Sequence, residues 1–112
     1  MAKVEIAPGL FQEIQDKFRG EAHKIIDLLE TLETNPKKGR VVGHVGGIII
    51  KELRYEKFRF YFITDGFKLK VLNIQELTDL LIKFVRMSDK KTQQKTIEEI
   101  KNILRKFGEK GF

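Results

Sequence analysis

A chain of 112 residues with 41% hydrophobic content can bury one core but has no room for a second domain. The absence of cysteine excludes disulfides, thiolate metal sites and cysteine nucleophiles, so no zinc-ribbon or thioredoxin-type reading remains. A net charge of +6 would attract a polyanion, although lysine-rich surfaces also serve solubility.

Neither a run of roughly 18 apolar residues nor a charged-apolar-small leader is present, so a cytoplasmic chain without membrane contact is expected. Lys3 to Ile6 alternates like a short strand, and Pro8 suits the first turn of a helix because its missing N–H is not needed there. Leu10, Phe11, Ile14 and Phe18 fall at helical spacing up to Gly20. A second helix carries the stripe Ala22, Ile25, Ile26, Leu29 and Leu32 and ends at Asn35-Pro36, where proline disfavours the α region for the residue before it. His23 reads as a surface or half-buried structural residue. Gly39, Gly43, Gly46 and Gly47 lack the lysine and hydroxyl of a phosphate-cradling loop and predict a flexible approach to a sheet.

Ile48 to Thr64 holds two strand-like runs about a polar loop at Tyr55 to Phe58, which predicts a β-hairpin. Arg54 then pairs with Arg59, Glu52 with Tyr61 and Ile50 with Ile63, because side chains alternate faces along each strand. Ile49, Leu53, Phe60 and Phe62 share a core face. Glu52, Arg54, Arg59 and Tyr61 share the other, which is expected to stay open. Asp65-Gly66 matches a type I′ turn and predicts a third strand over Phe67 to Ile74, placing Leu69 opposite Phe62, Val71 opposite Phe60, Lys70 opposite Tyr61 and Lys68 opposite Ile63. Leu80 to Met87 reads as a fourth strand with Lys83 and Arg86 on opposite faces. After a basic connector from Ser88 to Lys95, Thr96 and Glu99 match a capping box opening a helix to Phe107. Ile97, Ile100, Ile103, Leu104 and Phe107 form its stripe, Gly108 suits a left-handed cap, and Glu109 to Phe112 are expected to fray.

These elements predict an α+β fold: a four- to five-stranded, mainly antiparallel twisted sheet, two N-terminal helices and one C-terminal helix, in a single domain over residues 1 to 112. Asn35-Pro36 after the helical pair, Glu52-Leu53-Arg54 followed by Phe58-Arg59-Phe60-Tyr61, and Lys90-Lys91-Thr92-Gln93 before Glu98-Glu99-Ile100 together resemble the RelE/ParE superfamily of toxin–antitoxin toxins. The similarity is greatest to its HigB-like, phage-derived branch and covers nearly the whole chain. It implies a RelE-like fold, ribosome-dependent cleavage of messenger RNA without a metal or other cofactor, and silencing by an antitoxin protein. It also implies a phosphate contact at Arg59.

The residues carry a chemistry of their own. Attack of a ribose 2′-OH on the adjacent phosphorus needs a base at that hydroxyl, cations on the phosphate and a proton for the leaving oxygen. Glu52 is the candidate base, and Arg54 and Arg59 can grip the non-bridging oxygens with forked donors. Tyr61 could stack on a base, and Lys68, Lys70, Lys90 and Lys91 are candidate RNA contacts. The same hairpin pattern also describes a cross-strand ion pair on a solvated sheet, and Tyr61 equally serves strand packing. No residue stands out as the leaving-group acid. Two further readings follow from the resemblance: a catalytically silent relative binding RNA or antitoxin through the same face, and a ParE-like gyrase inhibitor. Lys101, Arg105 and Lys106 form an outward basic rail that could meet the antitoxin or simply be solvated.

Overall fold

In the computed structural model, which describes residues 1–112, the strands are β1 (Lys3–Ile6), β2 (Arg40–Val45), β3 (Ile48–Tyr55), β4 (Phe58–Asp65) and β5 (Leu81–Ser88). The helices are α1 (Pro8–Phe18), α2 (Ala22–Glu30), α3 (Gly66–Val71) and α4 (Gln93–Phe107). One sheet joins the strands in the order β1-β5-β4-β3-β2. It is mixed: β1 runs parallel to β5, and the other neighbours are antiparallel. The architecture is α+β, with a helical pair before the main hairpin and a long helix after the last strand.

Pro8 occupies the start of α1, and Leu10 and Ile14 on its apolar stripe are buried. Phe11, expected on that stripe, is 41% exposed. The break between α1 and α2 falls at Arg19, with φ 43°, one residue before Gly20. Ala22, Ile25, Leu29 and Leu32 then face the sheet, where they pack with Leu53, Phe60, Phe62, Ile82 and Phe84.

The β3–β4 hairpin has the register that alternation predicts: Arg54 opposite Arg59, Glu52 opposite Tyr61 and Ile50 opposite Ile63. The expected third strand is absent. Phe67 to Val71 lies in α3, and Asp65 is its N-cap, accepting a hydrogen bond from the Lys68 N–H at 3.0 Å. Asp-Gly serves a hairpin turn or a helix start equally well, and Gly66 here does not take the positive φ that a type I′ turn needs. The place beside β4 goes to β5, which sets Met87 opposite Phe60 and Phe84 opposite Phe62. On the far side the glycine-rich segment, expected as a flexible approach, forms edge strand β2, with Arg40 opposite Glu52. Gly39 permits the entry into β2: its φ is 102°, and a Cβ there would lie 3.0 Å from the Glu52 carbonyl oxygen and from the Phe62 ring.

α4 covers the sheet face that was expected to stay open. Ile97, Ile100 and Leu104 pack on Ile50, Tyr61, Ile63 and Val85, so both faces of the sheet are buried. The helix begins one turn before the predicted capping box. Thr96 lies inside it, donating its backbone N–H to the Thr92 carbonyl at 2.9 Å, and Glu99 pairs with Arg86 at 2.7 Å. Asp89 braces the true start by accepting from the Thr92 N–H at 3.0 Å and hydroxyl at 3.1 Å. The register shift of β5 against β4 at Tyr61/Phe62 inserts one residue and overturns the expected opposite facing of Lys83 and Arg86. Both reach Phe112. Lys83 Nζ donates to its backbone oxygen at 2.8 Å, and the Arg86 guanidinium lies 5.1 Å from its ring centroid. Glu109 to Phe112, expected to fray, are thereby folded back onto the sheet, with Gly108 at φ 66° making the reversal.

Candidate functional site

Alternation along β3 and β4 sends Glu52, Arg54, Arg59 and Tyr61 to the α4 side of the hairpin, at the end where α4 begins. Glu52 is only 8% exposed. Its Oε2 accepts from Gln93 Nε2 at 3.1 Å, and its Oε1 lies 3.4 Å from Arg40 Nε. Gln93 comes from the first turn of α4 and Arg40 from the facing position on β2, so three elements hold one carboxylate.

Arg59 is 5% exposed and forms no salt bridge. One terminal nitrogen donates to the Lys57 carbonyl at 3.4 Å, and its buried Nε has no partner. Directly across the hairpin stands Arg54, exposed and likewise without a carboxylate partner. Like charges facing each other across a ladder disfavour the fold, and a buried donor left unpaired adds to that cost. A bound anion would relieve both.

Tyr61 is fully buried, which overturns its expected role as a stacking surface for a base. Its hydroxyl lies 2.7 Å from Ser88 Oγ at the end of β5. Burial raises the phenol above its ordinary value, with the Glu52 charge adding to the shift; the Ser88 hydrogen bond and the Arg59 and Arg40 charges oppose it.

Lys90 and Lys91 are exposed in the β5–α4 connection. They line a groove of about 490 Å³ with Lys17, Lys57, Phe58 and Asp89. Lys68 and Lys70 are not on the predicted strand, so they do not stand opposite Ile63 and Tyr61. They sit on α3, which follows Asp65 at the other end of the hairpin from Arg54 and Arg59. Of the basic rail on α4, Arg105 and Lys106 are exposed, while Lys101 is half-buried over Gly43 and paired with Glu98 at 3.6 Å.

Sequence reasoning missed Arg40, Ser88 and Gln93. Arg40 depended on recognising β2, and Ser88 on the inserted residue in β5. Gln93 had a visible signal in Lys90-Lys91-Thr92-Gln93, but only the earlier start of α4 aims it at Glu52. No three His, Asp or Glu side chains converge closely enough to hold a metal ion.

Fold and site together define a small α+β domain with an unpaired pair of arginines and a group of lysines at one end of its sheet. No family model, curated protein or solved structure matches the chain. No helix is long and apolar enough to cross a membrane.

Proposed function

We propose that this chain is a RelE/ParE-type toxin of the HigB-like branch: a metal-independent endoribonuclease that cuts messenger RNA on the ribosome and is silenced by an antitoxin protein. The observation that carries the reading is the Arg54–Arg59 pair, two arginines directly opposite each other in the hairpin register with no carboxylate paired to either. Phosphate satisfies such a pair because each guanidinium presents a planar fork of donors to the anion's oxygens. The order of elements agrees with the sequence resemblance, with a strand and two helices before the hairpin and a basic connector before the last helix.

In the cleavage step the ribose 2′-oxygen forms a bond to phosphorus as the bond from phosphorus to the 5′-oxygen breaks. Glu52 is the carboxylate nearest the arginine pair along β3 and takes the 2′-OH proton, while Arg54 and Arg59 hold the charge that develops on the non-bridging oxygens. Water supplies the proton to the leaving 5′-oxygen. For Glu52 to act, Gln93 or Arg40 must release one carboxylate oxygen. Arg40 is the freer of the two, with its side chain 72% exposed.

That engagement favours a second reading, in which Glu52 organises the site and the protein binds RNA without cutting it. Regulated expression, with growth and message integrity followed in one culture, separates the two. The parent is expected to arrest growth and fragment messages. Arg59→Ala should lose cleavage by about a hundredfold, the effect of removing one transition-state clamp worth roughly 3 kcal/mol. Glu52→Gln should lose cleavage while keeping RNA binding. Growth arrest with intact messages would exclude the nuclease and return attention to a protein or DNA target.

A further inference from the structure

The groove beside the arginine pair contains an aromatic ring that the cleavage chemistry does not use. Phe58 sits at the start of β4, half-buried, with its ring fixed against Phe18 in a T-shaped contact at 5.1 Å. Lys17 Nζ lies 5.2 Å and Lys57 Nζ 5.6 Å from the ring centroid. Lys90 and Lys91 close the groove from the β5–α4 connection. None of these four lysines forms an ion pair. Asp89, the one acid in the lining, is turned to Thr92 at the start of α4. The volume of about 490 Å³ falls within the roughly 300–1,000 Å³ common for sites that take a small ligand or one unit of a polymer.

We infer that this groove is a nucleobase subsite, in which one unpaired base of a single-stranded RNA stacks on Phe58 while the flanking phosphates lie on Lys17, Lys57, Lys90 and Lys91. The inference rests on the RNA reading proposed above and adds where the strand runs. Phe58 and Arg59 are consecutive and point to opposite faces of β4, and Arg59 is tied to the turn through the Lys57 carbonyl. A strand gripped at Arg54 and Arg59 therefore rounds the β3–β4 turn to reach Phe58. A flat apolar ring held against a second ring, with cations free of ion pairs around it, suits a base carried on a phosphate backbone, because every base offers a π-face and every linkage a charge. An acidic protein segment would use the lysines but has no comparable use for the ring.

The chain contains no tryptophan, so Phe58→Trp places a single tryptophan in the groove, which can be excited apart from the two tyrosines. Binding of a labelled short single-stranded RNA is followed by anisotropy, and quenching of the tryptophan is read in the same titration. An abasic strand with the same phosphates is the comparison. The expected result is quenching by the base-bearing strand alone. In otherwise parental protein, Phe58→Leu should bind that strand about five- to a hundredfold more weakly, and Lys17→Ala with Lys57→Ala should flatten the log–log salt dependence by roughly 0.7 per lysine. RNA binding without quenching, or equal binding of the base-bearing strand by parent and Phe58→Leu, overturns the subsite and leaves the RNA reading standing. No binding of either strand, free or on the ribosome, overturns both.

Discussion

Under α1 and α2 the sheet buries an almost wholly apolar set, from Leu10 and Ile14 through Leu53, Phe60 and Phe62 to Phe84 and Met87. Under α4 it buries a smaller apolar set at one end, Ile50, Ile63, Val85, Ile97, Ile100 and Leu104, and a polar group at the other, Glu52, Arg59, Ser88 and the Tyr61 hydroxyl. Both faces are covered by helices, but the first buries a single charge, Lys51, whose Nζ donates to the Lys37 carbonyl at 2.9 Å, whereas the second gathers a carboxylate and a guanidinium at one end. Desolvated charges contribute little net stability and become costly when a partner is removed. The first face holds the fold together, and the second places the charges.

The sharpest way to break this comparison is to truncate one apolar side chain on each face. Phe60→Ala should cost about 3–5 kcal/mol, because the fully buried ring meets Phe18 and the helical layer and leaves a cavity that cannot collapse. Ile100→Ala should fall at the lower end of the roughly 2–5 kcal/mol range, since α4 can settle toward the sheet over a smaller apolar set. Urea denaturation of both variants gives the ranking. If Ile100→Ala proves the more damaging, α4 is the principal source of stability and the contrast between the faces is reversed.

A smaller effect sharpens the polar side of the comparison. Tyr61→Phe removes one partner of the 2.7 Å bond to Ser88 and should destabilise by about 1–3 kcal/mol, because the Ser88 hydroxyl stays buried with nothing to meet. Adding Ser88→Ala should recover part of that loss, so the double-mutant cycle has a measurable coupling. Strictly additive effects would show that the two hydroxyls act independently. The same tyrosine predicts an alkaline limit. Its folded-state value is raised, so its contribution is fully present below the ordinary tyrosine value of about 10 and is lost as pH rises through the folded value. In Tyr61→Phe this alkaline component of unfolding should disappear.

The smallest effect belongs to the exposed start of α4. Hydrogen bonds from the Thr92 backbone and hydroxyl hold the Asp89 carboxyl below the usual carboxylate range. The sign is therefore that of a depressed acid: its contribution is present above the unfolded value, about 3.9, and disappears as pH falls through the folded one. Asp89→Asn should abolish the increase in fraying of the first turn of α4 that a fall from neutral to acid pH produces, as followed by amide exchange at Gln93 to Thr96. Unchanged fraying would mean that packing of Ile97, and not the Asp89 brace, secures this end.

Patterns confined to one or two neighbouring segments were legible in the sequence. Period-two alternation from Ile48 to Thr64 determined which hairpin residues face one another, including Glu52 opposite Tyr61 and Arg54 opposite Arg59, because strand geometry leaves no freedom once the turn is placed. Helical spacing likewise determined the buried stripes of α1, α2 and α4, apart from Phe11 and from Phe107, which is 67% exposed at the end of α4. Whatever depended on competition between distant segments was decided only in the tertiary structure. Phe67 to Val71 and Arg40 to Val45 were both available to the sheet, and the first became α3 while the second took the edge beside β3. The apolar stripe of α4 required a cover without specifying which face of the sheet would supply it. Its placement turned an expected open face into a buried one, took Tyr61 out of solvent, and brought Gln93 to Glu52. The residue inserted in β5 moved Arg86 to the side of Lys83. Local sequence encodes periodicity and turns, whereas the choice among rival partners is a free-energy difference between whole arrangements, which no single segment contains.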